Sequence, residues 1–290
     1  MESRGESNAA ESGSLRVAAL YEAKTTAILR RYGPGPRVHY HSGFVNESQR
    51  PATVAALRAQ LVESQEEMLR YASEFWKIHS VEFRNILDVG CGLGGSAIFW
   101  AQEFGARVIA ITIAPSHVEL VARFARQAGV ESLVFPVLCD ASAVPGEECF
   151  DAAIAIESSS LFPRRPWFQS LARTVRPGGR VFVFDCFLER CEYEERFNDH
   201  WCAQIGTFEE YVDAASEGGF SLVALEDTSL RTASFWRTSL ALIRAEQEEK
   251  SPDPSQLRTI EKSRETHGLM YQGLVNGGLE QLLMTFLKRG

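Results

Sequence analysis

The sequence predicts an α/β fold: a doubly wound seven-stranded sheet with a helical N-terminal lid and an inserted cap. Three observations carry this. Apolar β-type runs alternate with helical runs between Ile86 and Cys186, which implies right-handed β-α-β units on a parallel sheet. The first run leads into Ile86-Leu87-Asp88-Val89-Gly90-Cys91-Gly92-Leu93-Gly94-Gly95-Ser96, which reads as a strand, a tight turn and a helix start. Glycine is needed in such a turn where φ is positive or where a Cβ would strike a ligand, and the following helix N-terminus can face a nucleotide-like group. Finally, 290 residues at 45% hydrophobic content suffice for one large core rather than two independent domains.

The elements follow in order. Residues 1–14 are rich in Ser, Glu, Gly and Asn, and a disordered tail is expected there. Leu15, Ala18, Ala19, Ala23 and Ile28 have helical spacing until Tyr32-Gly33-Pro34-Gly35-Pro36 breaks it; Arg37 to Phe44 reads as extended. Pro51 to His79 is helical again, so residues 15–80 are expected to form the lid and 81–290 the main domain. Strands are predicted at Ile86–Val89, Val108–Ile113, Leu133–Leu138, Phe150–Ile156 and Arg180–Cys186, with helices near Ser96–Phe104, Pro115–Ala128 and Pro166–Val175. Beyond Cys186 the alternation fails, and cap insertions are placed near 187–207 and 230–275. A helix at Phe208–Ser216, a strand at Phe220–Leu225 and a last strand at Leu279–Leu287 complete the prediction.

A net charge of -8 argues against nucleic acid as a partner. No apolar run reaches the roughly 18 residues of a membrane span, and the polar N-terminus lacks a signal-peptide core. A cytoplasmic protein with a small-molecule partner is expected. The six cysteines include no C-x-x-C pair; Cys91, Cys139 and Cys186 lie in or beside predicted strands and read as buried thiols in a reducing compartment. The apolar face between Leu15 and Arg31 could pack on a partner subunit, which leaves a homo-oligomer open.

Gly90, Gly92 and Gly95 also satisfy G-x-G-x-x-G, so a nicotinamide cofactor must be weighed. Such a site normally has an acid at the end of the second strand for the ribose, where this chain has Thr112-Ile113-Ala114-Pro115. Cys139-Asp140-Ala141 ends the third strand, where an acid can accept from an exocyclic adenine amine, and Val175-Arg176-Pro177-Gly178-Gly179-Arg180-Val181 leads into the fifth. From Ile86 to Cys186 the chain resembles class I S-adenosylmethionine-dependent methyltransferases, whose sheet is Rossmann-like. Ala110-Ile111-Thr112-Ile113-Ala114-Pro115-Ser116-His117 is similar to the "GVTLSPxQ" segment of the branch holding tocopherol, sterol, cyclopropane and geranyl-diphosphate C-methyltransferases. Tyr32-Gly33-Pro34-Gly35-Pro36-Arg37-Val38-His39-Tyr40-His41-Ser42-Gly43 is similar to the lid segment of geranyl-diphosphate and prenyl-indole C-methyltransferases. The resemblance implies S-adenosylmethionine as cofactor, held by Gly90, Gly92, Gly94, Thr112, Ile113, His117, Asp140 and Ala141. His117 stands where Gln is usual.

Methyl transfer from a sulfonium mostly requires alignment and exclusion of water. Oxygen or nitrogen acceptors often need a base, whereas an alkene carbon becomes a carbocation that calls for a carboxylate and aromatic faces. Glu157, at the carboxyl end of the fourth strand, is the expected catalytic residue, facing the transferring methyl group and stabilising the carbocation, with Tyr40 and His41 of the lid closing the site or taking a proton. The branch often reads E-S-x-E-H here; this chain has Leu161 at the histidine position, an apolar wall suited to a prenyl acceptor. His200, Trp201, Phe162 and Tyr271 are expected to touch the acceptor, while Trp167, Phe187 and Trp236 line the pocket or fill the core. A diphosphate acceptor would need cations, for which Arg164, Arg165, Arg231 and Arg237 are available, or Mg²⁺ carried by the substrate; no dense metal-ligand cluster is visible. C-methylation of an isoprenoid or prenylated natural product is the favoured expectation. O- or N-methylation of a polyketide, phenol or amine, a nicotinamide-dependent oxidoreductase, and a binding-only subunit are the alternatives.

Overall fold

The computed structural model describes residues 2–49, 51–78, 83–249 and 254–290. Its seven strands are β1 (Asn85–Val89), β2 (Arg107–Thr112), β3 (Val134–Leu138), β4 (Phe150–Ile156), β5 (Val175–Leu188), β6 (Phe220–Asp227) and β7 (Leu279–Lys288). They lie in the order β3-β2-β1-β4-β5-β7-β6. The chain therefore reverses its path across the sheet between β1 and β4, which opens a crevice at their carboxyl ends. Asp88 of β1 sits at that point, paired with Ala110 of β2 on one side and Ile154 of β4 on the other.

β1 to β5 are parallel, as the alternation between Ile86 and Cys186 implies, and the sheet becomes mixed beyond them, because β7 runs antiparallel to β5 and β6. The cause is local. Glu189 N and Arg190 N donate to Gly278 O (both 3.1 Å), so β7 begins where β5 ends, with Leu188 opposite Leu279, and can only run back.

Nine helices occur among the described residues: α1 (Glu2–Tyr32), α2 (Val54–Phe75), α3 (Gly95–Phe104), α4 (Pro115–Gln127), α5 (Arg164–Thr174), α6 (Glu194–Trp201), α7 (Phe208–Glu217), α8 (Ser229–Glu249) and α9 (Pro254–Asn276). Their starts follow the sequence. Thr53 Oγ1 accepts from Ala56 N (3.2 Å) to cap α2, Thr207 and Glu210 form a reciprocal capping box on α7, and Pro115 opens α4. Strand residues alternate between two buried layers. Ile86, Val108, Ile154 and Phe182 join the layer that includes α2, α3 and α4, while Leu87, Ala153 and Val181 join the layer with α5 and α7.

One expectation at the N-terminus changes. The backbone is helical from Glu2, where a disordered tail was expected; Ala9, Ala10 and the glutamates are good helix formers, whereas Gly5 and Gly13 weaken the run. On the apolar face of α1, Ile28 and Tyr32 join this chain's own core and Val17 is buried, while Leu15 is exposed. Among the cysteines, Cys91 and Cys186 are buried and Cys139 only partly so; all six are unpaired.

Candidate active site

After β1 the chain turns sharply, because Gly90 N and Cys91 N both donate to Ile111 O (3.0 and 2.9 Å). Gly90 has φ 75, and a Cβ there would lie 2.6 Å from Ser158 Cβ. At Gly92 a Cβ would meet nothing within 4 Å, since that position borders an open cleft. Two adjoining cavities of about 560 and 630 Å³ make up this cleft and share Gly90, Gly92, His117, Tyr21 and Leu161. Asp88 lines the first, and Thr112, Ile113, Asp140 and Ala141 line the second. Gly94 lines neither. It is the left-handed N-cap of α3 (φ 81), and a Cβ would strike Val121 Cγ1 at 2.8 Å, so it packs closely against α4.

The cleft has distinct acidic and aromatic chemistry. Burial pushes the Asp88 carboxyl up to about 7, opposed only by the Ser96 hydroxyl donating to it at 2.7 Å. Asp140 is also desolvated, but Ser142 N, Ser142 Oγ and Ser14 Oγ donate to it (2.8, 2.6 and 2.8 Å) and hold it below the usual carboxylate range. His117 is buried, not solvated as a first-turn residue would be. The Thr25 hydroxyl donates to Tyr21 O, so the His117 ring donates through Nε2 to Thr25 Oγ1 at 2.9 Å. Burial lowers its pKa.

Next to this cleft is a chamber of about 680 Å³ with aromatic walls, and Tyr21, Tyr40, His41, Glu157 and Leu161 border both spaces. Glu157 follows β4 in the left-handed region (φ 45), a conformation that costs about 1–2 kcal/mol for a side-chain-bearing residue and carries its carboxylate off the strand. Ser42 N donates to Oε2 (2.9 Å), while the Ser42 hydroxyl and Gln281 Nε2 (3.1 Å) donate to Oε1. Burial nevertheless pushes Glu157 up to about 7. His41 donates from Nδ1 to Ser42 O (2.6 Å), and its buried Nε2 lone pair has no partner among the described residues. Burial and the nearby His39 push its pKa down to about 3. Tyr40 meets Tyr21 and Tyr32 edge-on at 6.0 and 6.1 Å, and burial raises its phenol.

His200 and Trp201 of α6 line the chamber. The Thr266 hydroxyl donates to Lys262 O, so His200 donates from Nδ1 to Thr266 Oγ1 (2.9 Å); burial and Lys24 lower its pKa to about 4. Two predicted acceptor residues lie elsewhere. Phe162 borders the cleft beside Asp140 and packs on Trp167, and Tyr271 is half-buried against the core. Trp236 lines the chamber, whereas Trp167 and Phe187 are core residues. None of the four candidate arginines lines it: Arg164 and Arg165 meet Glu210 and Glu217, Arg237 meets Glu47, and Arg231 lies over Phe44 and Tyr71. Sequence reasoning missed Tyr21 and Tyr32 of α1, Asp185 of β5, and His267 and Met270 of α9, all on the chamber wall. The spacing of Tyr21, Thr25, Ile28 and Tyr32 places them on one face of α1, a signal that was present but unread.

Residues 86–179 match the family described as "Methyltransferase domain". Tocopherol O-methyltransferase of Arabidopsis thaliana is 25% identical over 218 residues, covering 68% of this chain and 62% of that protein. Norajmaline N-methyltransferase of Rauvolfia serpentina is 27% identical over 147 residues, half of each chain. The chain thus spans between half and two thirds of the length of these curated relatives. The solved structure of geranyl diphosphate C-methyltransferase from Streptomyces coelicolor A3(2), in complex with Mg²⁺, geranyl-S-thiolodiphosphate and S-adenosyl-L-homocysteine, superposes with a TM-score of 0.80 at 16% identity, covering 95% of this chain and 98% of that one. Residues 86–179 thus match the methyltransferase-domain family, within a chain whose fold superposes on that of a geranyl diphosphate C-methyltransferase.

Proposed function

We propose that this chain is an S-adenosylmethionine-dependent methyltransferase that methylates a carbon of a small hydrophobic acceptor, isoprenoid or prenylated. The observation that carries the reading is Glu157: its carboxylate lies on the wall common to the glycine-turn cleft and the aromatic chamber. The cleft fits the cofactor's parts. Gly90 and Gly92 admit close approach, the buried Asp88 carboxyl suits an ammonium group, and Thr112, Ile113, His117, Asp140 and Ala141 suit a nucleoside. When bound, S-adenosylmethionine supplies an electrophilic methyl group on sulfonium sulfur.

The chain's own residues decide what the acceptor can be. The aromatic rings of Tyr40, Trp201 and Trp236 line the chamber together with the Glu157 carboxylate, a set suited to positive charge developing on an acceptor carbon. The proton lost afterwards is strongly acidic, so a weak base suffices, and Glu157 or the free Nε2 of His41 can take it. Deprotonating a phenol needs a stronger base than His41, held neutral down to about pH 3. A second reading has support as well: a carboxylate within aromatic walls also suits a lipophilic amine, and an N-methyltransferase is among the relatives.

No Lys or Arg belongs to the described chamber lining; Lys24 and Arg31 stand behind it, Lys24 against His200 O (3.5 Å) and Arg31 on Ser239 Oγ (2.8 Å). Among the described residues no group of three His, Cys, Asp or Glu could hold a metal. In this reading Mg²⁺ belongs to a diphosphate acceptor, should the acceptor carry one. Residues 15–80 are read as the lid, with the caps at 187–207 and 230–275. Six unpaired cysteines, together with no described helix long and apolar enough to cross a membrane, support a cytoplasmic setting. The test is a screen of geraniol, geranyl diphosphate, prenylated indoles, phenols and lipophilic amines with labelled donor, followed by NMR of the product. A new carbon–carbon bond is expected, and a methyl group on oxygen would overturn the reading.

A further inference from the structure

Three donors reach the Glu157 carboxylate from outside its own strand. Two belong to Ser42, in the strap between α1 and α2, and one to Gln281, in β7. Both residues are completely buried. Burying a hydroxyl or an amide costs free energy unless it is hydrogen-bonded. Among the described residues the Ser42 hydroxyl and the Gln281 side-chain N–H have Glu157 as their partner, and Gln281 Oε1 has none. Each donor is anchored from behind. His41 Nδ1 donates to Ser42 O (2.6 Å), and Gln65 Nε2 donates to His41 O (2.6 Å). Gln281 N donates to Ser229 Oγ (2.9 Å), while Thr228 N and Oγ1 donate to Gln281 O (both 2.8 Å).

We infer that Ser42 and Gln281 are positioning residues that clamp the Glu157 carboxylate in one orientation on the chamber wall, and that the clamp is complete only while the strap lies over the site. The inference rests on Glu157 being the acidic group of the site. Its strained backbone fits such a clamp, because a left-handed residue holds that conformation only where its surroundings fix it. The titratable groups facing Glu157 are Asp185 and Cys186 of β5, Tyr40 and His41 of the strap, and Tyr21 and Tyr32 of α1, with neutral His200 and His267 on α6 and α9. Burial and Asp185 raise the Glu157 pKa, while Ser42 and Gln281 lower it. Losing either donor must therefore move its titration upward.

Infrared spectroscopy of the full chain against pH tests this without any acceptor. The carboxyl band lost in Glu157→Gln identifies the group. In Ser42→Ala and in Gln281→Leu its midpoint is expected to rise by about one pH unit or more, the scale of one hydrogen bond to a charged group. Ser42→Thr should restore it, and S-adenosylhomocysteine affinity should stay within about twofold, as expected for residues outside the cleft. An unchanged midpoint in both variants overturns the inference, as does the absence of any band lost in Glu157→Gln. Should one variant fail to fold, the other decides. Methyl transfer by Glu157→Gln addresses the separate reading: full turnover alongside shifted midpoints would leave the clamp standing and remove the carbocation role.

Discussion

Replacing Gly90 and Gly92 in turn by alanine separates what the turn does for folding from what it does for a ligand. Both have positive φ (75 and 53), so alanine costs about 1–2 kcal/mol of backbone strain at either position. At Gly90 the new Cβ lies 2.6 Å from Ser158 Cβ and 3.0 Å from its Oγ, so Ser158 must move. That hydroxyl donates to Val89 O at 2.6 Å in a buried site, and overpacking together with its displacement adds about 1–3 kcal/mol. Gly90→Ala should thus lose about 2–5 kcal/mol of stability in urea unfolding. Gly92→Ala meets no atom, so only the strain remains. Its methyl group nevertheless projects into the cleft, and S-adenosylhomocysteine affinity should fall roughly tenfold to a hundredfold, a loss of about 1.4–2.8 kcal/mol. Isothermal titration beside urea unfolding reads both quantities. A Gly92→Ala protein that binds as tightly as wild type would refute the placement of the cofactor against this turn.

Further outcomes follow from the same geometry. Glu157→Gln removes a carboxylate worth about 4 kcal/mol to a full charge about 4 Å away at an effective dielectric of 20, so kcat with an identified acceptor should drop by about two to three orders of magnitude. An unchanged kcat would exclude charge stabilisation. Gly43→Ala puts a Cβ 2.4 Å from the Ser64 backbone, which must lift the strap from α2 and break the Phe44 N to Ser64 O bond (2.9 Å). A loss of about 2 kcal/mol or more is expected in urea unfolding, and a smaller loss than 1 would contradict the packing. Stability should peak near pH 6.5. Asp88 and Glu157 titrate near 7 when folded and lower when unfolded, so the folded chain holds protons that the unfolded chain has released, and this stabilisation is lost as pH rises through about 7. His41, His200 and His267, lowered to about 3, 4 and 3, contribute stability that is present above the unfolded pKa and lost as pH falls below it. Unfolding at pH 5, 6.5 and 8 that changes monotonically would contradict this assignment.

The strand–turn–helix at Gly90 was legible because its chemistry is local: an apolar run, an acid and glycines at fixed spacing allow few other structures. The same spacing could not tell Gly92, on the cleft, from Gly94, which packs on Val121, because that distinction depends on where α4 lies. On α9, helical periodicity puts residues 267, 270, 271 and 274 along one side, but a rotation of one position decides that Met270 enters the chamber and Tyr271 does not. The direction of β7 was hidden for a similar reason: alternation shows a strand but not its sense, which here follows from the contact of Gly278 with the end of β5. Glu157 could be read from its place after β4, whereas Ser42 and Gln281, 115 and 124 residues away in sequence, have no local mark.

The central claim is that the crevice beside β1 accepts S-adenosylmethionine and not a nicotinamide. Calorimetric titration of the full chain with S-adenosylhomocysteine and with NADH, side by side, tests it most directly. Saturable binding of the homocysteine compound, weakened in Gly92→Ala, with no heat from NADH is the predicted result. Binding of NADH with none of S-adenosylhomocysteine would contradict the account.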